Sequence, residues 1–253
     1  MSFFSWWRRA ARKSDFDYES LDVLGCLISY NRYGAYCVPS SSASRPAAQK
    51  ILSGRVYEPE TIEFMVANCK NGDIVQAGAY FGDFLPALSK ACSENSKIWS
   101  FEPNSENYRC ARVTLELNGI ENVELHNIGL GSEISEADLR VEDNKGAAMG
   151  GGSRILQKAD LEGNFEKIKI RPIDEVIGLE RMVSIIQLDV EGFEIKALMG
   201  AMKTIARCKP ILIIETLPGS TAITSPWFKE HIIDLGYRET GTLSSFNLVF
   251  STQ

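Results

Sequence analysis

The sequence predicts an α/β protein: a Rossmann-like, mostly parallel sheet covered by helices on both faces, with an antiparallel hairpin at its C-terminal end. Three observations lead there. From residue 73 onward, short apolar runs alternate with helical periods, which is the signature of successive βαβ units. The stretch Asp73-Ile-Val-Gln-Ala-Gly-Ala-Tyr-Phe-Gly-Asp83 reads as strand, tight glycine turn and helix start. The last two apolar runs, near 237–240 and 246–251, are too close together for a crossover helix, so they must pair antiparallel.

The elements follow in order. Ile74 and Val75 belong to a buried strand over 73–77. Gly78 and Gly82 bracket a turn where the backbone passes close to something, and Asp83 is the residue type that caps a helix, here one over 83–93. A strand over 97–102 ends in Phe101-Glu102-Pro103. A helix over 104–118 and a strand over 122–127 come next. A polar, glycine-rich insertion follows, including Gly146-Ala-Ala-Met-Gly-Gly-Gly-Ser153. After a short strand at 168–171 and a short helix at 173–179, the alternation resumes with a strand over 183–189, a helix over 191–206 and a strand over 209–215. Lys209-Pro210 opens that last strand, a place where proline is tolerated. A helix over 226–235 precedes the terminal hairpin.

The glycine turn carries chemistry. The unpaired N–H groups of the helix start face it, and Glu102 follows Gly82 by 20 residues. A carboxylate at that spacing can accept hydrogen bonds from both hydroxyls of a ribose. The turn is Gly-Ala-Tyr-Phe-Gly rather than G-x-G-x-x-G, with fewer glycines to admit a pyrophosphate. That favours a nucleoside ligand without phosphate, and S-adenosylmethionine fits. An NAD-type oxidoreductase and a βαβ unit that binds nothing are the competing readings of the turn.

Ser184-Ile-Ile-Gln-Leu-Asp-Val-Glu-Gly-Phe-Glu194 is a second cluster. A buried strand ends in Asp189, with Glu191 and Glu194 just beyond. Parallel strands point their C-terminal ends at the ligand crevice, so Asp189 and Glu102 face the same side as the turn, and Glu215 joins the same rim. Glu194 is read as charge at a helix N-terminus. Asp189 and Glu191 are the candidate catalytic carboxylates. Glu215 fits either role.

Composition limits the function. The chain has 253 residues, 44% hydrophobic, with a net charge of −6. An acidic chain lacks the basic stripe of a general nucleic-acid binder. Six cysteines occur with no C-x-x-C pair, and no residue spacing demands a metal. No signal-peptide pattern opens the chain, and a reduced, cytoplasmic protein is expected. His126 and His231 are unaccompanied by a G-x-S-x-G elbow, which argues against a serine hydrolase.

Residues 1–70 read as an N-terminal helical extension or cap on a ligand-binding domain over 71–253. Met1-Ser-Phe-Phe-Ser-Trp-Trp-Arg-Arg-Ala-Ala-Arg-Lys13 places four aromatics before four basic residues. It fits a helix packed on the domain or on a second subunit, the preferred reading, or an amphipathic helix at an inner membrane surface. Pro39 to Pro46 is a loop by composition. A helix runs over 58–68 with Pro59 in its first turn, and Asn71-Gly72 turns the chain into the first strand.

Together these motifs resemble the FkbM family of S-adenosylmethionine-dependent methyltransferases. The matching elements are Gly78-Ala79, Gly82-Asp83, Phe101-Glu-Pro-Asn104, Asn118, Asn122-Val123, Asp189-Val-Glu-Gly-Phe-Glu194, Gly200-Ala201 and Pro210 to Glu215. Tyr36-Cys-Val-Pro39 and Gly54 with Glu58-Pro-Glu-Thr61 look like the segment before the first strand in one branch of that family. The resemblance implies a class I methyltransferase fold, with a seven-stranded sheet, and O-methylation of a sugar, glycan or natural-product hydroxyl. Two positions differ: Gln76 stands where that strand usually ends in Asp, and Gln187 where Lys is common. Under this resemblance the turn residues Gln76, Gly78, Ala79, Tyr80, Gly82 and Asp83 contact the methionine end of the donor. Glu102 takes the ribose, and Asn127 or its neighbours meet the adenine. Asp189 or Glu191 binds or deprotonates the acceptor, and a carboxylate pair could hold a divalent cation instead, as in related O-methyltransferases. A catalytically degenerate binding subunit of the same fold is the remaining alternative, prompted by Gln76.

Overall fold

The computed structural model describes residues 25–69, 72–155, 164–216, 219–244 and 246–252. The aromatic-basic segment 1–13 lies outside them, as does Asn71. The first described element is a hairpin of β1 (Cys26–Asn31) and β2 (Gly34–Pro39), paired antiparallel. The segment expected to be helical therefore begins, where it is described, as a small sheet. Its strands were hard to read because Cys26-Leu-Ile-Ser-Tyr-Asn31 buries little on either face. Helix α1 (Pro46–Leu52) follows and then α2 (Pro59–Asn68), each with proline in its first turn. The second matches the expected helix.

The central sheet starts at β3 (Asp73–Ala77) and continues through α3 (Leu85–Ala91), β4 (Ile98–Phe101), α4 (Ser105–Leu117) and β5 (Val123–His126). Helix α3 begins later than expected, with Phe84 rather than Asp83 at the N-cap position and no side-chain cap bond from it. Asn104 does cap α4, its side chain accepting from the Asn107 N–H. The polar, glycine-rich insertion, to which no strands were assigned, contributes β6 (Gly129–Leu130), β7 (Ser135–Arg140) and β8 (Arg154–Ile155). With β9 (Phe165–Arg171) these form a separate four-stranded sheet. Its apolar centre is small, built on Leu139, Ile168 and Ile170, too few residues to stand out in a polar stretch.

Helix α5 (Ile173–Val176), β10 (Val183–Leu188), α6 (Glu194–Met199), α7 (Met202–Cys208) and β11 (Ile211–Glu215) complete the alternation. The helix expected over 191–206 is thus two helices. A Cβ on Gly200 would sit 2.0 Å from the Gly131 carbonyl oxygen, so the chain turns where another backbone touches it. Helix α8 (Pro226–Phe228) runs into a π-turn at Lys229–Ile233. Then β12 (Arg238–Leu243) and β13 (Asn247–Ser251) pair antiparallel as expected.

The seven-stranded sheet has the order β12-β13-β11-β10-β3-β4-β5, parallel from β11 to β5. Successive residues of its strands enter opposite cores. Val75, Ile186, Leu212 and Ile214 pack with α6 and α7, while Ile74, Ile185 and Ile213 pack with α2 and α3. A strand buried on both faces reads as a continuous apolar run, which is why these strands were legible. None of the described helices is long and apolar enough to cross a membrane. No disulfide joins the described cysteines.

Candidate functional site

The chain leaves β3 toward β4 on one side and returns through β10 on the other. Between the ends of β3 and β10 the strand order reverses, which is where open α/β sheets bind ligands. Gly78 stands at that point with φ +88°, and a Cβ there would lie 2.0 Å from the Asp189 carbonyl oxygen. The Asp189 N–H donates to the Ala77 carbonyl at 3.0 Å. Glycine is required here by both its conformation and the crossing strand.

The turn is braced from within. The N–H groups of Gly78 and Ala79 both donate to the Phe101 carbonyl at 3.0 Å. Gln76 donates from Nε2 to the Gly78 carbonyl at 3.0 Å and accepts from Ser100 Oγ at 2.7 Å. Tyr80 holds a left-handed backbone, φ 49°, a conformation that costs a non-glycine residue about 1 kcal/mol or more. Two bonds keep it there: its N–H donates to Glu102 Oε2 at 2.7 Å, and its hydroxyl donates to Ser42 Oγ at 2.7 Å. Glu102 Oε1 also accepts from the Asn104 N–H at 2.9 Å. Burial nevertheless pushes the Glu102 carboxyl up to about 8, against these hydrogen bonds. A carboxylate has about four acceptor positions, so Glu102 organises the turn and retains capacity for a ribose hydroxyl.

A second group of acids faces the turn. Leu188 pairs with Ile214 in parallel register, so the next residues, Asp189 and Glu215, emerge side by side. Glu191 follows in a left-handed conformation, φ 51°. One carboxylate oxygen from each of Asp189, Glu191 and Glu215 lies within 4.8 Å of the others. Burial and the adjacent Glu215 hold the Asp189 carboxyl well above the usual range. Burial, then Glu215, push Glu191 up to about 7. Glu194 bonds the Gly192 N–H at 2.9 Å at the start of α6, the helix-terminus role expected of it.

These groups line a cavity of about 260 Å³. Of the expected site residues, the structure brings Gln76, Gly78, Tyr80, Asp83, Glu102, Asp189 and Glu191 to its wall. Ala79 and Gly82 shape the turn without lining it. Asp83 faces the cavity, and burial with the nearby Glu58 pushes it up to about 7. Asn127 is not brought there. It is exposed, and its amide donates to the carbonyls of Glu102 and Pro103 at 2.9 and 3.0 Å. Its neighbour Ile128 instead lines a narrow slot of about 30 Å³ with Phe101, Leu139 and Ile155, sharing Gly78, Glu102 and Asp189 with the larger cavity. His126 sits between Trp99 and Phe101, and His231 stacks on Trp227. Neither lines these cavities.

Sequence reasoning singled out none of Arg45, Tyr57, Glu58 and Met149, which also line the cavity. Arg45 donates to the Ala148 carbonyl at 2.9 and 2.6 Å, and Asn107 donates to the Gly150 carbonyl at 3.1 Å. The glycine-rich loop is thereby drawn over the site. Glu58 lies 131 residues before Asp189 in sequence, and no spacing rule links them. The available signal was that loops at strand ends carry specificity.

Comparison with known proteins gives this arrangement a family. The methyltransferase FkbM domain profile matches residues 76–236, more than half of the chain, from the strand end before the glycine turn to beyond β11. No curated protein matches the chain. Among solved structures, it is similar to a methyltransferase FkbM from Methylobacillus flagellatus KT. The identity is 21% and the TM-score 0.49, covering 71% of this chain and 43% of that one. It thus spans less than half of that protein's length. A SAM-dependent methyltransferase from Aquifex aeolicus is 15% identical, with a TM-score of 0.46, over 83% of this chain and 96% of that one. A Pyrococcus abyssi tRNA (uracil-54, C5)-methyltransferase, solved with S-adenosyl-L-homocysteine, is 10% identical, with a TM-score of 0.44, over 90% and 44%. All three scores are low, so the assignment rests on the profile and the motifs it spans. With its seven-stranded sheet and the glycine turn inside the matched region, this chain belongs to the FkbM methyltransferase family.

Proposed function

We propose that this protein transfers the methyl group of S-adenosylmethionine to a hydroxyl of a sugar, glycan or natural-product acceptor. The observation that carries the reading is the charge of the cavity. Glu58, Asp83, Glu102, Asp189, Glu191 and Glu215 line it, against Arg45. Arg45 is already engaged by Ala148. Burial and mutual repulsion hold protons on several of these acids, so a sulfonium or ammonium placed among them favours their ionised forms while a pyrophosphate adds like charge, which favours this donor over a dinucleotide.

In this reading the Gly78–Gly82 turn meets the methionine end, Glu102 the ribose, and the apolar slot at Ile128 the adenine. The acceptor enters beside Asp189 and Glu191, beneath Arg45, Tyr57 and Met149. The reaction is an in-line displacement: the acceptor oxygen forms a bond to the methyl carbon as the bond to sulfur breaks. S-adenosylhomocysteine leaves, and the hydroxyl proton passes to a carboxylate. Positioning supplies most of the acceleration, and a nearby base supplies the rest.

Calorimetry with S-adenosylhomocysteine tests the donor site. The wild type binds, and Glu102→Ala weakens binding by about tenfold or more, the scale of one lost charge-assisted hydrogen-bond set. Equal affinity in the variant sinks the ribose assignment, and binding of NAD in place of S-adenosylhomocysteine sinks the donor. Labelled methyl transfer to a panel of sugar and natural-product alcohols then identifies the acceptor. Full turnover in both Asp189→Asn and Glu191→Gln would remove these residues from the chemistry.

A further inference from the structure

The carboxylates at the ends of β10 and β11 crowd like charge together, which a proton shared between Asp189 and Glu215 relieves in part. Three oxygens, from Asp189, Glu191 and Glu215, converge within 4.8 Å. The charged neighbours acting most strongly on Asp189 are all acids: Glu215, Glu191 and Glu58. The cation felt by Glu191 is Arg154, which does not line the cavity. Like charges this close are destabilising unless a proton or a cation lies among them.

Two further oxygens point to a cation. Glu215 Oε2 is buried and has no hydrogen-bond partner. Gln187 is 3% exposed, lines the same cavity, and its Oε1 is also buried without a partner. Gln187 lies on β10 two residues before Asp189, which follows the strand end, and both line the same cavity. Its counterpart on the neighbouring strand, Gln76, is fully occupied by Ser100 and the Gly78 carbonyl. A buried acceptor left open in the wall that the three carboxylates line calls for a bound partner.

We propose that Asp189, Glu191 and Glu215, with Gln187 Oε1, bind one divalent cation. Every donor is an oxygen. Such a set suits magnesium, manganese or calcium rather than zinc or copper, which favour nitrogen and sulfur. Three carboxylates outweigh a double positive charge, so the site would remain attractive to the sulfonium next to it. Coordination positions not filled by protein are open to an acceptor's oxygen, and a bound cation lowers the pKa of a hydroxyl it touches. That role rests on the methyl-transfer reading and turns the acids from bases into ligands; binding of the cation does not depend on it.

The full chain, stripped with a chelator, is titrated with Mn²⁺ while the signal of the free ion is followed by electron paramagnetic resonance. One Mn²⁺ per chain is expected, displaced by excess Mg²⁺. Glu215→Gln and Gln187→Ala should each weaken binding by about tenfold or more, with circular dichroism confirming that they fold. Glu133→Gln, on an exposed loop, should bind like the wild type. Absence of uptake at about millimolar Mn²⁺, or equal uptake by the folded variants and wild type, overturns the site. S-adenosylhomocysteine binding without Mn²⁺ uptake overturns the cation and leaves the donor reading standing. Mn²⁺ uptake that the variants weaken, without S-adenosylhomocysteine binding, supports the cation and sinks the donor.

Discussion

Asp83 holds its proton in the folded protein up to about pH 7, because burial and Glu58 disfavour its charge. In the unfolded chain an aspartate releases that proton near pH 4. Between those limits the folded state binds more protons, so this group's contribution to stability falls as pH rises from about 4 to about 7, then levels off. Asp83→Asn should flatten that part of the profile, by at most about 4 kcal/mol, measured as urea stability against pH without ligand. Gly78→Ala tests a different constraint. The added methyl meets the Asp189 carbonyl at 2.0 Å, and the variant should lose about 1–3 kcal/mol and bind S-adenosylhomocysteine more weakly. Gly78, Glu102, Asp189 and Glu191 were readable from sequence because each sits at the end of an apolar strand run. Glu58, Arg45 and Gln187 were not read as site residues. Their places depend on tertiary contacts that leave no local pattern, and a glutamine inside a strand is ordinary until its oxygen is found without a partner.

Hairpin β1–β2 is stitched to α4 by side chains. Asn118 accepts from the Ala35 N–H at 3.0 Å and donates to its carbonyl at 2.7 Å, while the Cys37 N–H donates to Thr114 Oγ1 at 3.0 Å. Asn118→Ala leaves both Ala35 groups unpaired and should cost about 1–3 kcal/mol in urea denaturation. Hydrogen exchange should quicken in 26–39 ahead of the central strands. Elements buried on both faces, such as β10 and β11, were legible as unbroken apolar runs. The four-stranded sheet was not, since its core is small and many of its positions are polar; nor was the hairpin, where β2 is buried but its partner β1 buries little. The helix expected over 191–206 breaks at Gly200, where the Gly131 carbonyl leaves no room for a side chain, a tertiary contact that the sequence does not show.

Across the whole molecule, donor binding and stability are linked. A ligand at one hundred times its dissociation constant adds about 2.7 kcal/mol to the folded state, which for a domain of this size raises Tm by about 5–10 °C. S-adenosylhomocysteine should give that shift in a thermal scan and NAD should give none. The parallel central sheet and its antiparallel edge hairpin were legible from the strand–helix alternation, while the order of the strands was not read from the sequence. Nor was the packing of 25–69 against the sheet. Met65 and Ile62 of α2 share a core with Ile74, Ile185 and Ile213, an association that no motif announces.

The bond from Arg45 to the Ala148 carbonyl joins segments 103 residues apart across the cavity mouth. If the acceptor enters here as proposed, its choice is written in two places that must match, as a lock must match its strike plate. A chimera that imports a relative's 141–153 loop while keeping this chain's 40–58 segment should fold yet lose its grip on either acceptor. Exchanging both together should transfer the preference, measured as a switch in which alcohol receives the label.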